Sequence, residues 1–386
     1  MKITLIILMS IFLVSCNNSK KELYKFDPNI LDEREINLSD IADNILYIPL
    51  DNSILMSGVN INYNPVFANN RIYLCDQNQG ILVFSRSGKF LRKIGKKGRG
   101  PGEYVYGSPF TVDPESGTVY LDDSNSKIKV YSRSGNFLRS FDLSEYQGSI
   151  DVIDFFRNKI FVSFNLQFGD NFKFEWVFLD TLGNIINKKD RSIPIFKSNY
   201  LVGGGTFIHD GKLNFWNNFT DTVITFSTDF TIKPNFLMSQ GDFRLPKQYV
   251  DDPIKRLPEY ISFEQILETN RFLIIRYNFY KGKNSLVLID KEKNKSFLSY
   301  WSFDDYRGLT NDLDGGTRFQ PRGYLFENGK EYLVEIKDAI KIKTYVNSDE
   351  FKNAKSINPE KKKTFKEIAD NLKEIDNPVI IMVRLK

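Results

Sequence analysis

The hydrophobic pattern of this chain repeats. "RIYLCDQNQGILVFSRSGKFLRKI" (71–94) aligns with "TVYLDDSNSKIKVYSRSGNFLRSF" (118–141) at an offset of 47, with 13 of 24 positions identical. Each copy reads as short β runs separated by polar turns. "RIYLCD" or "TVYLDD" is followed by "ILVFS" or "IKVYS", and then by "RSG", whose Gly88 or Gly135 suits the positive φ of a hairpin turn. "KFLRKI" or "NFLRSF" returns as a further strand, and the run before each copy, "NPVFAN" or "SPFTVD", makes four. A period of roughly 40–50 residues with four strands per unit points to propeller blades. Weaker copies at 158–189, 211–236 and 271–301, and a sixth beginning at 321–338, give six units between about residue 60 and the C-terminus. The expected fold is all-β, a six-bladed β-propeller of four-stranded blades.

Two segments break the period. Residues 238–259, "MSQGDFRLPKQYVDDPIKRLPE", form a polar, Pro-containing insertion. Within 347–377, Asn358 is a plausible N-cap with Pro359 at the first helical position, and Phe365, Ile368, Leu372 and Ile375 recur at helical spacing. This predicts one helix packed on the propeller, ahead of a last strand "VIIMVRL". An open ring would leave unpaired strand edges. "NILYIPL" (44–50) and "VIIMVRL" are therefore predicted to share one closing blade, so that residues 44–386 form a single domain.

The N-terminus has a different character. Lys2 precedes an apolar run from Ile3 to Val14, too short to span a bilayer but suited to a secretory signal. Leu13-Val14-Ser15-Cys16 resembles a bacterial lipobox, in which the cysteine becomes the acylated N-terminus. Residues 1–15 are read as a lipoprotein signal peptide and 16–43 as lipidated Cys16 with a polar tether. Only Cys75 would remain, so the mature chain has no internal disulfide.

Composition adds 33 Phe and 19 Tyr, which favours strands, and a single His209. One imidazole excludes a multi-His zinc site, and no G-x-S-x-G elbow is present. The net charge of +5 is spread along the chain among acids, so no nucleic-acid partner is expected. "IGKKGRGPGEY" (94–104) packs four glycines and a proline into eleven residues, but Gly-Lys-Ser/Thr occurs nowhere in the chain. The glycines are read as serving a tight turn, with Pro101 fixing φ, where the first unit crosses to the second.

With Gly98-Arg99-Gly100-Pro101-Gly102-Glu103-Tyr104, the lipobox and a late "NDLDGG" (311–316), the chain resembles the six-bladed β-propeller lipoproteins of Gram-negative bacteria with NHL-like blades. The resemblance covers nearly the whole mature chain. It implies an exported, outer-membrane-anchored protein, on the periplasmic or the surface side, in a family mostly without assigned activity.

Asp312 and Asp314 are two residues apart, as hard cations use, but without the further acids of a calcium loop they are read as part of a Gly-rich turn. No cofactor or metal is expected. Aromatic and guanidinium groups in the turns between repeats are the candidate ligand-binding residues: Arg99, Glu103, Tyr104, Tyr106, Trp216, Arg244, Arg318 and Phe319. The expected function is a lipid-anchored, non-catalytic module for a glycan, peptide or protein partner. The alternative is a propeller enzyme of the polysaccharide lyase or glycosidase type with its site at the central channel. A scaffold in an outer-membrane uptake complex is a third reading.

Overall fold

The computed structural model describes residues 24–56, 65–123, 127–146, 149–164, 173–192, 203–238, 243, 259–278, 280–302 and 307–386. Six antiparallel blades form a ring. The strands of blade 1 run from Val66–Ala68 to Phe90–Ile94, those of blade 2 from Phe110–Val112 to Phe137–Asp142, and those of blade 3 from Ile150–Phe156 to Ile185–Asp190. Blade 4 runs from Gly204–His209 to Ile232–Leu237 and blade 5 from Ser262–Glu268 to Lys295–Tyr300. Blade 6 combines Gly323–Glu327, Lys330–Lys337 and Val379–Leu385 with Ala42–Pro49 from the other end of the chain. Ile45 pairs with Val383 and Tyr47 with Ile381, so the ring closes through the two segments expected to share a blade.

The middle strands read as continuous apolar runs because both of their faces are buried. In Arg71–Asp76, Ile72 and Leu74 pack with Val334, Ile380 and Met382 of blade 6, while Tyr73 and Cys75 pack with Phe110, Val112 and Leu121 of blade 2. Each strand thus belongs to two inter-blade cores at once. The repeated Arg-Ser-Gly turn also faces a neighbour. Gly88 has φ +83, and its carbonyl accepts from Asp51 N–H at 2.9 Å, beside the outer strand of blade 6. Gly135 has φ +94, and a Cβ there would lie 2.7 Å from the carbonyl of Lys93 in blade 1. The glycine is fixed by backbone sign and by the approach of the preceding blade together.

The segment 16–43, expected to be a polar tether, is bound to the ring over its described part. From Tyr24 onward the chain is bound along the outer edges of blades 4, 5 and 6. Phe26 N–H donates to Leu237 O at 3.0 Å, and Asp32–Glu33 adds a parallel fifth strand to blade 5. Phe26, Ile36, Leu38 and Ile41 are buried. These anchors are too widely spaced to give a period, so only their burial reveals them. The insertion before the last strand comprises helices Ala339–Val346, Asp349–Asn353 and Pro359–Asn371 rather than one helix. Asn358 does cap the last of these, accepting from Lys361 N–H at 3.2 Å. Phe365, Ala369 and Leu372 are buried, but Ile375 lies beyond the helix and is exposed. The 238–259 insertion lies largely outside the described residues.

Candidate functional site

The Gly-rich crossover is built around a phenol. Tyr104 is fully buried, accepts from Ile81 N–H at 2.8 Å and donates to Ile94 O at 2.9 Å. Its ring occupies space that side chains on Gly80, Gly95 and Gly107 would fill. Glu103 accepts from Gly100 N–H at 2.9 Å and pairs with Lys96 at 3.0 Å, closing the turn on itself. Of the residues expected to contact ligand here, Tyr104 is therefore an inter-blade pin and Glu103 a turn brace. Arg99 and Tyr106 are exposed.

The other candidates scatter. Phe319 is a core residue at 1% exposure, because its backbone pairs with Leu309 and its ring joins the blade 5–6 cluster. Arg318 is held by Thr310 at 3.0 Å, Glu35 at 3.3 Å and Glu350 at 3.7 Å, at the edge of the helical insertion. Arg244 and Cys16 lie outside the described residues. The acids of "NDLDGG" point inward: Asp312 accepts from Ser39, and Asp314 accepts from Tyr47 Oη at 2.8 Å and Gly316 N–H at 2.8 Å. Among the described residues no group of three or more potential metal-ligating side chains occurs.

Trp216 leads to the place where polar chemistry does converge. The inner strands line a central channel, and where they begin there is a cavity of about 430 Å³. Its wall in blade 4 is Gly204-Gly205, backed by the Trp216 ring; a Cβ on Gly205 would lie 2.7 Å from that ring. On one side stand Asp151 and Asp154 of blade 3, and on the other Glu264 and Arg276 of blade 5 and Arg322 beside blade 6.

Two β-bulges aim these carboxylates. In blade 3 the pairing slips between Ile150 and Val152, so Asp151 is the extra residue; in blade 5 it slips between Phe263 and Gln265, so Glu264 is extra. Residues i and i+3 of a regular strand face opposite sides, and the bulge turns Asp151 to the wall that Asp154 occupies. Asp151 accepts from Gly204 N–H at 2.7 Å. Asp154 accepts from Thr206 Oγ1 at 3.1 Å and Phe155 N–H at 2.8 Å. Both retain some surface, but it opens on the channel. Their surroundings desolvate the charged form and push each carboxyl up to about 6, against the hydrogen bonds that pull the other way. Glu264 instead faces guanidiniums, with Arg276 Nη2 at 3.3 Å and Arg322 Nη1 at 4.0 Å. Arg276 lies over the Trp301 ring at 4.2 Å.

The opposite mouth, a cavity of about 700 Å³, holds His209, the chain's one histidine. Its Nε2 is 3.9 Å from Glu268, which pairs with Lys291 at 2.9 Å. Burial lowers the imidazole pKa first, with Glu268 opposing. Nothing in the residues around His209 marks it as a channel residue.

The long connections, Ile94 to Phe110, Asp190 to Gly204, Leu237 to Ser262 and Tyr300 to Gly323, all enter inner strands at the end that holds the acidic cavity. At the other end, Ala68–Arg71, Phe156–Lys159, His209–Lys212 and Glu327–Lys330 are tight hairpins. The molecule is a six-bladed β-propeller with a polar channel mouth on its long-connection face. The chain belongs to the family described as Domain of unknown function (DUF4934), whose model matches residues 23–384. It is similar in fold to a putative exported protein from Bacteroides fragilis, at 20% identity, TM-score 0.66 and coverage of 92% of this chain and 99% of that one. A member of the duf4221 family from Bacteroides vulgatus is similar at 13% identity and TM-score 0.50, again covering 92% and 99%. No curated protein matches the chain.

Proposed function

We propose that this protein is an exported, lipid-anchored binding module of the cell envelope that takes a small polar ligand at the channel mouth, without transforming it. The observation that carries this reading is the cavity of about 430 Å³ in which Asp151, Asp154, Glu264, Arg276 and Arg322 meet. Loops on a rigid ring are where binding groups gather, and a concave site with a few convergent polar groups is the usual form of a small-ligand site. Export is supported by the signal-like N-terminus and by the description of the Bacteroides fragilis relative as exported. Anchoring is assigned in this reading to Cys16 and its acyl chains, on the lipobox-like Leu13-Val14-Ser15-Cys16, with the outer membrane as destination. No helix among the described residues is long and apolar enough to cross a membrane.

A thermal-shift screen of the full-length protein in detergent, against glycans and short peptides, tests the reading. A ligand that raises the melting temperature of the native protein, and does so less in Glu264→Gln and Arg322→Gln, is the expected result. Ligands that stabilise all three proteins equally would move the site elsewhere. Release of new chain ends from a polysaccharide would replace binding with the lyase or glycosidase alternative. Acylation at Cys16 is checked separately, by mass spectrometry of the N-terminal peptide.

A further inference from the structure

The charged groups of the channel mouth are unevenly balanced. Glu264 has Arg276 and Arg322 beside it, whereas neither Asp151 nor Asp154 forms an ion pair among the described residues, and desolvation is the leading influence on both. An uncompensated carboxylate enclosed by protein is costly, and groups perturbed in this way cluster at functional sites. A seal between blades needs no such charge, since Ser, Thr or Asn would bridge to Gly204 N–H and Thr206 equally well.

Two more observations extend this asymmetry. Gln265, on the same wall, gives its Nε2 to the Arg322 carbonyl, while its Oε1 is buried without a partner among the described residues. The two aspartates have hydrogen-bond donors but no countercharge, and Gln265 adds an acceptor without a donor on a side chain that also lines the cavity. Across the ring from blade 3 stands blade 6, so Arg322 at its entry faces the aspartates from the opposite side. Between them, in blade 4, Gly204 and Gly205 present backbone to the cavity, with the Trp216 ring behind them.

We propose that the channel mouth binds the protonated amino group of a small zwitterion, an amino acid or the free N-terminus of a short peptide, with Asp151 and Asp154 receiving the ammonium and Arg322 its carboxylate or carbonyl oxygen. An ammonium brings three donors, no acceptor and a positive charge, which suits two carboxylates that lack a countercharge. A neutral saccharide would supply hydroxyl donors but would leave both aspartates without a countercharge. The cavity of about 430 Å³ admits a dipeptide-sized molecule. The assignment rests on the channel mouth being a binding site, and it names the chemistry of that site.

The test is calorimetric titration of the full-length protein with L-alanyl-L-alanine, its N-acetyl derivative, cadaverine and maltotriose. The expected outcome is binding of the dipeptide, loss of binding on N-acetylation, and at least tenfold weaker binding in Asp151→Asn and in Asp154→Asn. Cadaverine, which has amines but no carboxylate, is expected to bind more weakly than the dipeptide and to be indifferent to Arg322→Gln, whereas the dipeptide is not. Equal binding of the acetylated and free dipeptides, or unchanged affinity in both asparagine variants, would overturn the ammonium assignment. Binding of maltotriose alone, sensitive to Glu264→Gln, would sink the assignment while leaving the binding-module reading intact. No binding of any probe, with unaltered circular dichroism of the variants, would count against the zwitterion. If the wider screen also found nothing that Glu264→Gln and Arg322→Gln weaken, the binding-module reading would fall with it.

Discussion

The phenol of Tyr104 accepts the backbone N–H of Ile81 at 2.8 Å, and neither group has access to water. The bond ties the crossover after blade 1 to the third strand of that blade. Tyr104→Phe leaves Ile81 N–H and Ile94 O unsatisfied in the core, and is expected to cost about 1–3 kcal/mol in urea unfolding. Gly80→Ala is expected to cost at least as much, since its φ of +81 is strained for alanine and its Cβ would overlap the Tyr104 hydroxyl. A Tyr104→Phe protein as stable as the native one would mean that the crossover relaxes to admit water.

Phe26 provides a second test of architecture. It is fully buried between Phe263 and Tyr277, with ring centroids 5.9 Å away in both cases. Phe26→Ala is expected to destabilise by about 3–5 kcal/mol, the range for truncating a buried aromatic. Hydrogen exchange would read the loss at the outer edges of blades 4 and 5. A change near zero would restore the picture of residues 16–43 as a loose tether.

The channel aspartates predict a pH dependence. Burial pushes each up to about 6 from the ordinary carboxyl value of 3.8, so the folded protein binds the proton more tightly than the unfolded chain. The destabilisation is fully present above pH 6 and is relieved as pH falls from about 6 towards 4. Asp151→Asn with Asp154→Asn is expected to raise stability at pH 7.5 by about 1–3 kcal/mol, in keeping with 1.36 kcal/mol per pKa unit for each group and incomplete burial. The gap between variant and native protein should close by pH 4. A gap that widened on acidification would show that the aspartates are stabilised as anions in the free protein.

These sites differ in how far the sequence exposes them. The repeat at 71–94 and 118–141 carries the fold because each blade must bury both faces of its middle strands, and that demand is written as continuous apolar runs. The Gly-rich turn is legible as a turn, but nothing in it says that Tyr104 points inward. Asp151 and Glu264 are not legible in the sequence, because their direction depends on one-residue slips against neighbouring strands, which leave no period in the chain. Trp216 stands out in the sequence for its ring, but it belongs to the channel wall because Gly205 lets it approach. In this protein the aromatic groups near the turns also serve as inter-blade contacts, as Tyr104 and Phe319 do.

The "NDLDGG" turn gives the last prediction. Tyr47 Oη donates to Asp314 Oδ2 at 2.8 Å, and Asn311 Nδ2 donates to the same phenol at 3.3 Å. Tyr47 belongs to the N-terminal strand of the closing blade and Asp314 to the connection from blade 5, so the bond helps to hold the two ends of the ring together. Burial raises the pKa of both groups, while the Tyr47 bond pulls that of Asp314 down. Each single change, Tyr47→Phe or Asp314→Asn, is expected to destabilise by about 1–3 kcal/mol. The double variant should lose less than their sum, with a coupling of about 0.5–3 kcal/mol in a double-mutant cycle. Additive losses would mean that the two side chains stabilise the closure independently, through packing on Phe365 at 5.1 Å for Tyr47 and through the Gly316 turn for Asp314.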